Sequence, residues 1–182
     1  MKNLIQHLEQ YNPDNSNELD FKKQMLLLLE EHGYFSFSRE NTSGHFTASA
    51  WIIDSTYSHV LLLHHQKLDK WLQPGGHADG ETALEKVALK EAEEETGVLK
   101  LQFLSDTIFD LDIHTIPERK NEAEHLHYDV RFAFLCKDKE AVTINHESKA
   151  FKWVPLKDIQ VFTQNESILR MARKTHNLRK HD

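Results

Sequence analysis

The stretch from Trp71 to Val98, WLQPGGHADGETALEKVALKEAEEETGV, constrains the fold more than any other part of the chain. Pro74, Gly75, Gly76 and Gly80 make its first third a loop. Thr82-Ala83-Leu84-Glu85 then has the form of a capping box and Gly97 offers a stop, so a helix is predicted over 83–96 with its N-cap at Thr82. At about 100° per residue, Leu84, Val87 and Ala88 share one face. Glu91, Glu94 and Glu95 continue that stripe, whereas Lys86, Lys90 and Glu93 point the other way. Negative charge near a helix C-terminus opposes the macrodipole by about 0.3–1 kcal/mol per group, and like charges one turn apart add to that. A cation would offset the penalty, because hard divalent ions take oxygen ligands and glutamates at i, i+3 and i+4 can converge on one. The plain alternative is a Glu-rich helix end without a ligand. Periodicity alone does not separate the two; the Gly-Gly turn, the cap and the stop glycine favour a loop–helix unit aimed at a metal.

Composition bounds the setting. A chain of 182 residues with 39% hydrophobic and 28% charged side chains suits one domain spanning 1–182. Its 29 acidic against 22 basic residues leave a net charge of −7, which argues against a nucleic-acid polymer as partner. Cys136 stands alone, so no intrachain disulfide forms. The start, MKNLIQHLEQ, lacks a long apolar run, so neither a membrane partner nor export is expected and the cytoplasm is the predicted location. An acidic protein that handles a phosphorylated small molecule needs cations beside its carboxylates, and a divalent metal is the natural supplier.

Helical patterns gather at the two ends and in the centre. Leu19, Met25, Leu26, Leu28 and Leu29 before Gly33 predict a helix over 17–32, within a helical N-terminal extension of about 1–40. Runs at 46–53 and 60–64, separated by turn-prone residues 54–58, read as a hairpin. Further strands are expected at 101–104, 107–115, 127–136 and 151–154. Thr163-Gln164-Asn165-Glu166 predicts the start of a last helix presenting Ile168, Met171 and Ala172. The order predicts an α/β (α+β) fold, a mixed sheet with helices on its faces, over about 43–182.

The central segment resembles the signature of the Nudix hydrolases: Gly, five residues, Glu, seven residues, Arg-Glu, an apolar residue, any residue, Glu-Glu, any residue, Gly, apolar. Gly75 and Glu81 match the first spacing, and Lys90-Glu91-Ala92-Glu93-Glu94-Glu95-Thr96-Gly97-Val98 matches the second half. Lys90 stands where the family has Arg and cannot form Arg's bidentate fork. Eight residues separate Glu81 from Lys90; anchoring on Gly76 restores seven but places Thr82 at the glutamate position. The resemblance implies a Nudix-type α/β/α sandwich, often dimeric, that uses Mg2+ (or Mn2+) to hydrolyse the diphosphate bridge of a nucleoside diphosphate linked to another group, such as a nucleotide sugar or ADP-ribose. Glu91, Glu94 and Glu95 are then the metal ligands together with the Gly75 carbonyl, which neighbouring glycines let approach closely. Glu91 or Glu94 would accept the proton of the attacking water. A binding module that has kept the fold without turnover is the competing class, and loss of Glu94 or Glu95 would mark it; both are present. An isoprenoid diphosphate isomerase of the same fold relies on a cysteine near the start of the sheet, whereas Cys136 falls late.

Weaker signals lie downstream. Strand alternation puts His125, His127 and Asp129 on one face, able to meet phosphate, base or metal, or simply to form a polar strand face. His77 in the glycine loop is a second substrate-side candidate. Glu122, Glu124 and Glu147 are loop acids that could serve as base, Arg119 and Lys120 could meet a terminal phosphate, and Trp71 and Phe151 could stack on a base, although solvated charge and core packing are the plainer readings.

Overall fold

Asn15 opens the longest helix among the described residues. Its side-chain oxygen accepts the Glu18 N–H at 3.0 Å while its amide donates to Glu18 Oε1 at 2.9 Å, satisfying an orphan donor of the first turn. Helix α2 then runs Ser16–His32 and ends where Gly33 takes φ +53°. A shorter α1, Lys2–Gln10, precedes it. Polar groups clasp the two: buried Glu18 accepts the Tyr11 hydroxyl, and Lys22 Nζ donates to the carbonyls of Glu9 and Tyr11 at 2.8 and 2.9 Å.

The structure, a computed structural model, describes residues 1–118 and 123–178. After the helical pair come β1 (Gly44–Asp54), β2 (His59–His65), β3 (Lys70–Leu72), β4 (Gly75–His77), α3 (Leu84–Thr96), β5 (Gln102–Phe103), β6 (Asp110–Ile116), β7 (His125–Cys136), β8 (Ser148–Pro155), α4 (Ile159–Phe162) and α5 (Glu166–Leu178). The class is α+β with a mixed sheet and helices, as expected. The three-residue strands β3 and β4 escape a sequence reading because each is too short to show alternation. No helix among the described residues is long and apolar enough to cross a membrane.

The chain divides into two compact units, Met1–Ser49 with Gly75–Ala88 and Asp106–Phe132, and Ala50–Pro74 with Leu89–Ser105 and Ala133–Asp182. In the first, β4 pairs antiparallel with β1, Thr47 opposite His77 and Ser49 opposite Gly75, and β6 pairs antiparallel with β7 from Asp110 opposite Arg131 to Ile116 opposite His125. Met25, Leu28, Leu29, Phe37 and Phe46 are buried, with Phe37 and Phe46 stacked at 5.1 Å. In the second, β2 pairs with β8 along its length, with β3, and with the end of β1. Trp51, Ile53, Leu61, Leu62, Ile168 and Met171 are fully buried there, and the Trp51 indole donates to Thr175 Oγ1 at 2.8 Å.

The last helix starts later than the Thr163 box predicts. Thr163 ends α4 in an extended conformation, its hydroxyl accepts the Asn165 N–H at 3.1 Å, and the Asn165 side chain caps α5 by accepting the Ser167 N–H at 3.0 Å.

Asp54 closes the β1–β2 hairpin. Burial opposes its ionisation, but the N–H groups of His59 and Ser58 at 3.0 and 2.9 Å, the Thr56 hydroxyl at 2.8 Å and Lys139 Nζ at 3.3 Å outweigh it and hold the carboxyl at about 2. A depressed carboxylate stabilises the fold above its unfolded value and loses that contribution as pH falls through the folded one. Asp54→Asn should therefore destabilise by about 2 kcal/mol at pH 7, and the gap to wild type should close between about pH 4 and pH 2; paired urea melts across that range measure it.

Candidate functional site

Helix α3 occupies Leu84–Thr96, within a residue of the predicted span. The Glu81 carboxylate accepts the Ala83 N–H at 2.8 Å ahead of the first turn. The buried stripe reads Leu84, Val87, Ala88, Ala92, Glu95 and Thr96, and Glu95 is only 9% exposed. Glu91 is half-buried beside it. Glu94, expected on the same stripe, lies on its flank: one residue before Glu95 is about 100° round the helix, and its side chain is 55% exposed. Lys90 Nζ reaches Glu94 at 3.3 Å and Glu91 at 3.7 Å, an exposed point charge rather than a planar fork.

Burial pushes the Glu91 carboxyl above the usual carboxylate range; Lys90 pulls it back, and the charges of Glu94 and Glu147 push it further up. Glu147 thus acts electrostatically on Glu91. Its loop is anchored to the end of α3: the Thr143 N–H donates to the Thr96 carbonyl at 2.8 Å, the Asn145 amide to the Glu94 carbonyl at 3.4 Å, and the Glu147 N–H to Asn145 Oδ1 at 2.9 Å. Gly97 makes the turn possible at φ +68°, and a Cβ there would fall 2.2 Å from Thr143 Oγ1. The anchor was not legible in the sequence, because nothing local links Thr143 and Asn145 to a helix end some fifty residues earlier.

Gly75 falls in the first unit and the three glutamates in the second. A Cβ on Gly75 would lie 2.4 Å from Ser49 Oγ and 2.8 Å from the Ala48 carbonyl, so β4 approaches β1 only because residue 75 has no side chain. Further along the loop, Asp79 holds φ +48° with its carboxylate accepting Arg39 Nε at 2.7 Å, and the Gly80 N–H donates to the Phe37 carbonyl at 2.9 Å.

The face predicted for β7 is partly as read. His125 and His127 lie together, Nε2 to Nε2 3.2 Å, and both rings meet His45, which sequence reasoning did not single out. His77 joins them, 4.9 Å from the His127 ring. Asp129 is drawn elsewhere. It is 2% exposed and accepts Arg131 Nε at 2.7 Å, Ser49 Oγ at 2.8 Å and Thr47 Oγ1 at 3.1 Å. Arg131 also donates to Asp110 and Asp112, each at 3.1 Å. Burial works against the guanidinium charge, and Asp112, Asp129 and Asp110 more than offset it, so Arg131 stays cationic.

Of the remaining candidates, Trp71 stacks on His64 at 4.9 Å, Phe151 is 39% exposed, and Glu124 is exposed just before β7. Cys136 is buried, which pushes its thiol up. Arg119, Lys120 and Glu122 lie outside the described residues.

A family model described as NUDIX domain matches residues 44–174. A probable DHNTP pyrophosphohydrolase of Lactococcus lactis subsp. cremoris (strain MG1363) is 27% identical over 120 residues, 65% of this chain and 70% of that protein. Among solved structures, a C. elegans Ap4A hydrolase binary complex superposes with TM-score 0.61 at 20% identity, covering 75% of this chain and 98% of the other. The E. coli dihydroneopterin triphosphate pyrophosphohydrolase gives 0.56 at 14%, covering 72% and 95%. The chain belongs to the Nudix family. It is a hydrolase of pyrophosphate bonds in nucleotide derivatives, acting on acid anhydrides.

Gly75→Ala should lower stability by about 1–3 kcal/mol, as forced overpacking does, read as a fall of several degrees in Tm. A melt identical to wild type would mean that β4 does not depend on the close approach.

Proposed function

We propose that the chain hydrolyses the diphosphate bridge of a nucleoside diphosphate linked to another group, with Mg2+ as its ion and Mn2+ able to replace it, and that Glu91, Glu94 and Glu95 hold that ion. What carries the reading is the group of carboxylates at the end of α3, with the charge of Glu147 acting on Glu91. The donor set is all oxygen and strongly negative, which fits a hard divalent cation. When bound, such an ion neutralises phosphate oxygens and acidifies water.

The protein's own residues then have distinct tasks. Attack by water oxygen on phosphorus breaks the bond to the bridging oxygen and releases a proton. Glu91 and Glu94 are the two candidates to accept it. Glu94 stands in solvent, where it can pass that proton on, and Lys90 at 3.3 Å keeps it oriented. The substrate role expected of Asp129 is not part of this proposal, since its oxygens are committed to Arg131, Ser49 and Thr47. The binding-module alternative has no observation in its favour.

Product analysis over ADP-ribose, nucleotide sugars, dinucleoside polyphosphates, nucleoside triphosphates and dihydroneopterin triphosphate, with Mg2+ and with chelator, tests the reading, and oxygen-labelled water identifies the phosphorus attacked. Glu94→Gln and Glu95→Gln should each lower turnover by at least about 100-fold, the scale of losing a group that acts on the transition state, with unchanged circular dichroism. Glu93→Gln is the control and should retain activity. Full Mg2+-dependent turnover in both the Glu94 and Glu95 variants would contradict the assignment.

A further inference from the structure

Five histidines of the first unit crowd together, and the hydrolysis described above uses none of them. His45 on β1, His77 on β4, His125 and His127 on β7 and His114 on β6 contact one another with ring centroids 4.9–5.4 Å apart. The register explains the gathering. Thr47 pairs with His77, so His45, two residues earlier on the same face of β1, comes beside the loop histidine, while His114 stands directly opposite His127. One ring nitrogen from each of His45, His77 and His127 lies within 4.8 Å of the other two.

The hydrogen bonds fix which nitrogens carry lone pairs. His45 Nδ1 is 3.3 Å from the Asn41 carbonyl and His125 Nδ1 is 2.8 Å from the Ala123 carbonyl. A carbonyl only accepts, so both Nδ1 atoms carry the hydrogen and both Nε2 atoms are acceptors. The contact between His125 Nε2 and His127 Nε2 at 3.2 Å then requires His127 to donate, which leaves its Nδ1 with the lone pair. Of the three rings whose nitrogens lie together, His45 is oriented through its second nitrogen by a backbone carbonyl and His127 through its second nitrogen by His125, and such orientation is how proteins prepare histidine as a metal ligand.

We propose that His45, His77 and His127 form a binding site for a divalent transition metal, with Zn2+ the ion whose preferences fit it best, distinct in its ligands from the carboxylates of α3. Imidazole suits Zn2+, Co2+, Ni2+ and Cu2+, whereas Mg2+ selects oxygen. A tetrahedral ion with Zn–N of 2.0–2.1 Å sets its ligand nitrogens about 3.3 Å apart, so small ring rotations close the site. Three protein ligands leave a fourth position for water or a ligand atom.

The test uses untagged full-length protein stripped by chelator. Co2+ should give the visible absorption of a nitrogen-ligated tetrahedral site at one equivalent, Zn2+ should bleach it stoichiometrically, and a large excess of Mg2+ should not. His77→Gln, at a half-buried position, and His127→Gln should weaken Co2+ binding by at least about 10-fold with circular dichroism unchanged, while Glu91→Gln and Glu95→Gln should leave it intact. If His127→Gln fails to fold, His77→Gln carries the comparison. Absence of saturable binding to the wild type, retention of binding in His77→Gln, or loss of it in the glutamate variants would overturn the proposal. Because activity is not the readout, the hydrolytic assignment can fail without affecting this one.

Discussion

The last turn of α3 places carboxylates where a helix least favours them, and the second unit is arranged to make that tolerable. The dipole opposes negative charge at this end, burial raises the proton affinity of Glu91, and Glu94 and Glu147 add like charge. What the structure supplies against this is a satisfied helix end. Gly97 donates back to the Glu93 carbonyl at 2.9 Å, Thr143 caps Thr96, and Asn145 reaches Glu94. With those carbonyls used, the chain can hold Glu91, Glu94 and Glu95 on one turn without local unravelling. Lys90, 3.3 Å from Glu94 and 3.7 Å from Glu91, offsets part of their mutual repulsion.

The first unit solves the opposite problem, a buried cation. Stepping two residues along β6 and β7, the paired positions read Asp110 with Arg131, Asp112 with Asp129, and His114 with His127. One face of the pair therefore changes from ionic to imidazole over a single strand. Arg131 needs its aspartates: removing one partner of a buried ion network typically costs about 3–5 kcal/mol because it leaves charge uncompensated. Asp129 also accepts from Thr47 and Ser49 on β1. Ser49 is in turn the residue that Gly75 must approach without a side chain. The ion network and the glycine loop are thus locked to the same strand.

What the sequence revealed follows from range. The helix over 84–96, its Gly97 stop, the hairpin around Asp54 and the burial of Glu95 all rest on local spacing, and local spacing was enough. Glu94, seven residues after buried Val87, borders the stripe as the spacing predicts, and its exposure reflects its position at the edge of that face. The cap of α5 shifted from Thr163 to Asn165 because a one-turn helix intervened that no periodicity can reveal. His45 carries no signal in the sequence, since Gly44-His45-Phe46 has no pattern of its own and gains meaning only when β4 and β7 lie alongside. Asp129 shared a strand face with His127, as alternation predicts, yet its partners are Arg131 two residues on and hydroxyls some eighty residues away, which no strand pattern encodes.

The most direct test of the α3 carboxylates as the cation site is a melt with chelator and with rising Mg2+. A ligand that binds only the folded state adds RT ln(1 + [L]/Kd), about 2.7 kcal/mol at a hundredfold excess over Kd. Wild type should gain several degrees on that scale, Glu91→Gln and Glu95→Gln should gain much less, and with chelator the two variants should melt no lower than wild type, since each relieves repulsion at the helix end. Equal Mg2+-induced shifts in all three proteins would contradict the account.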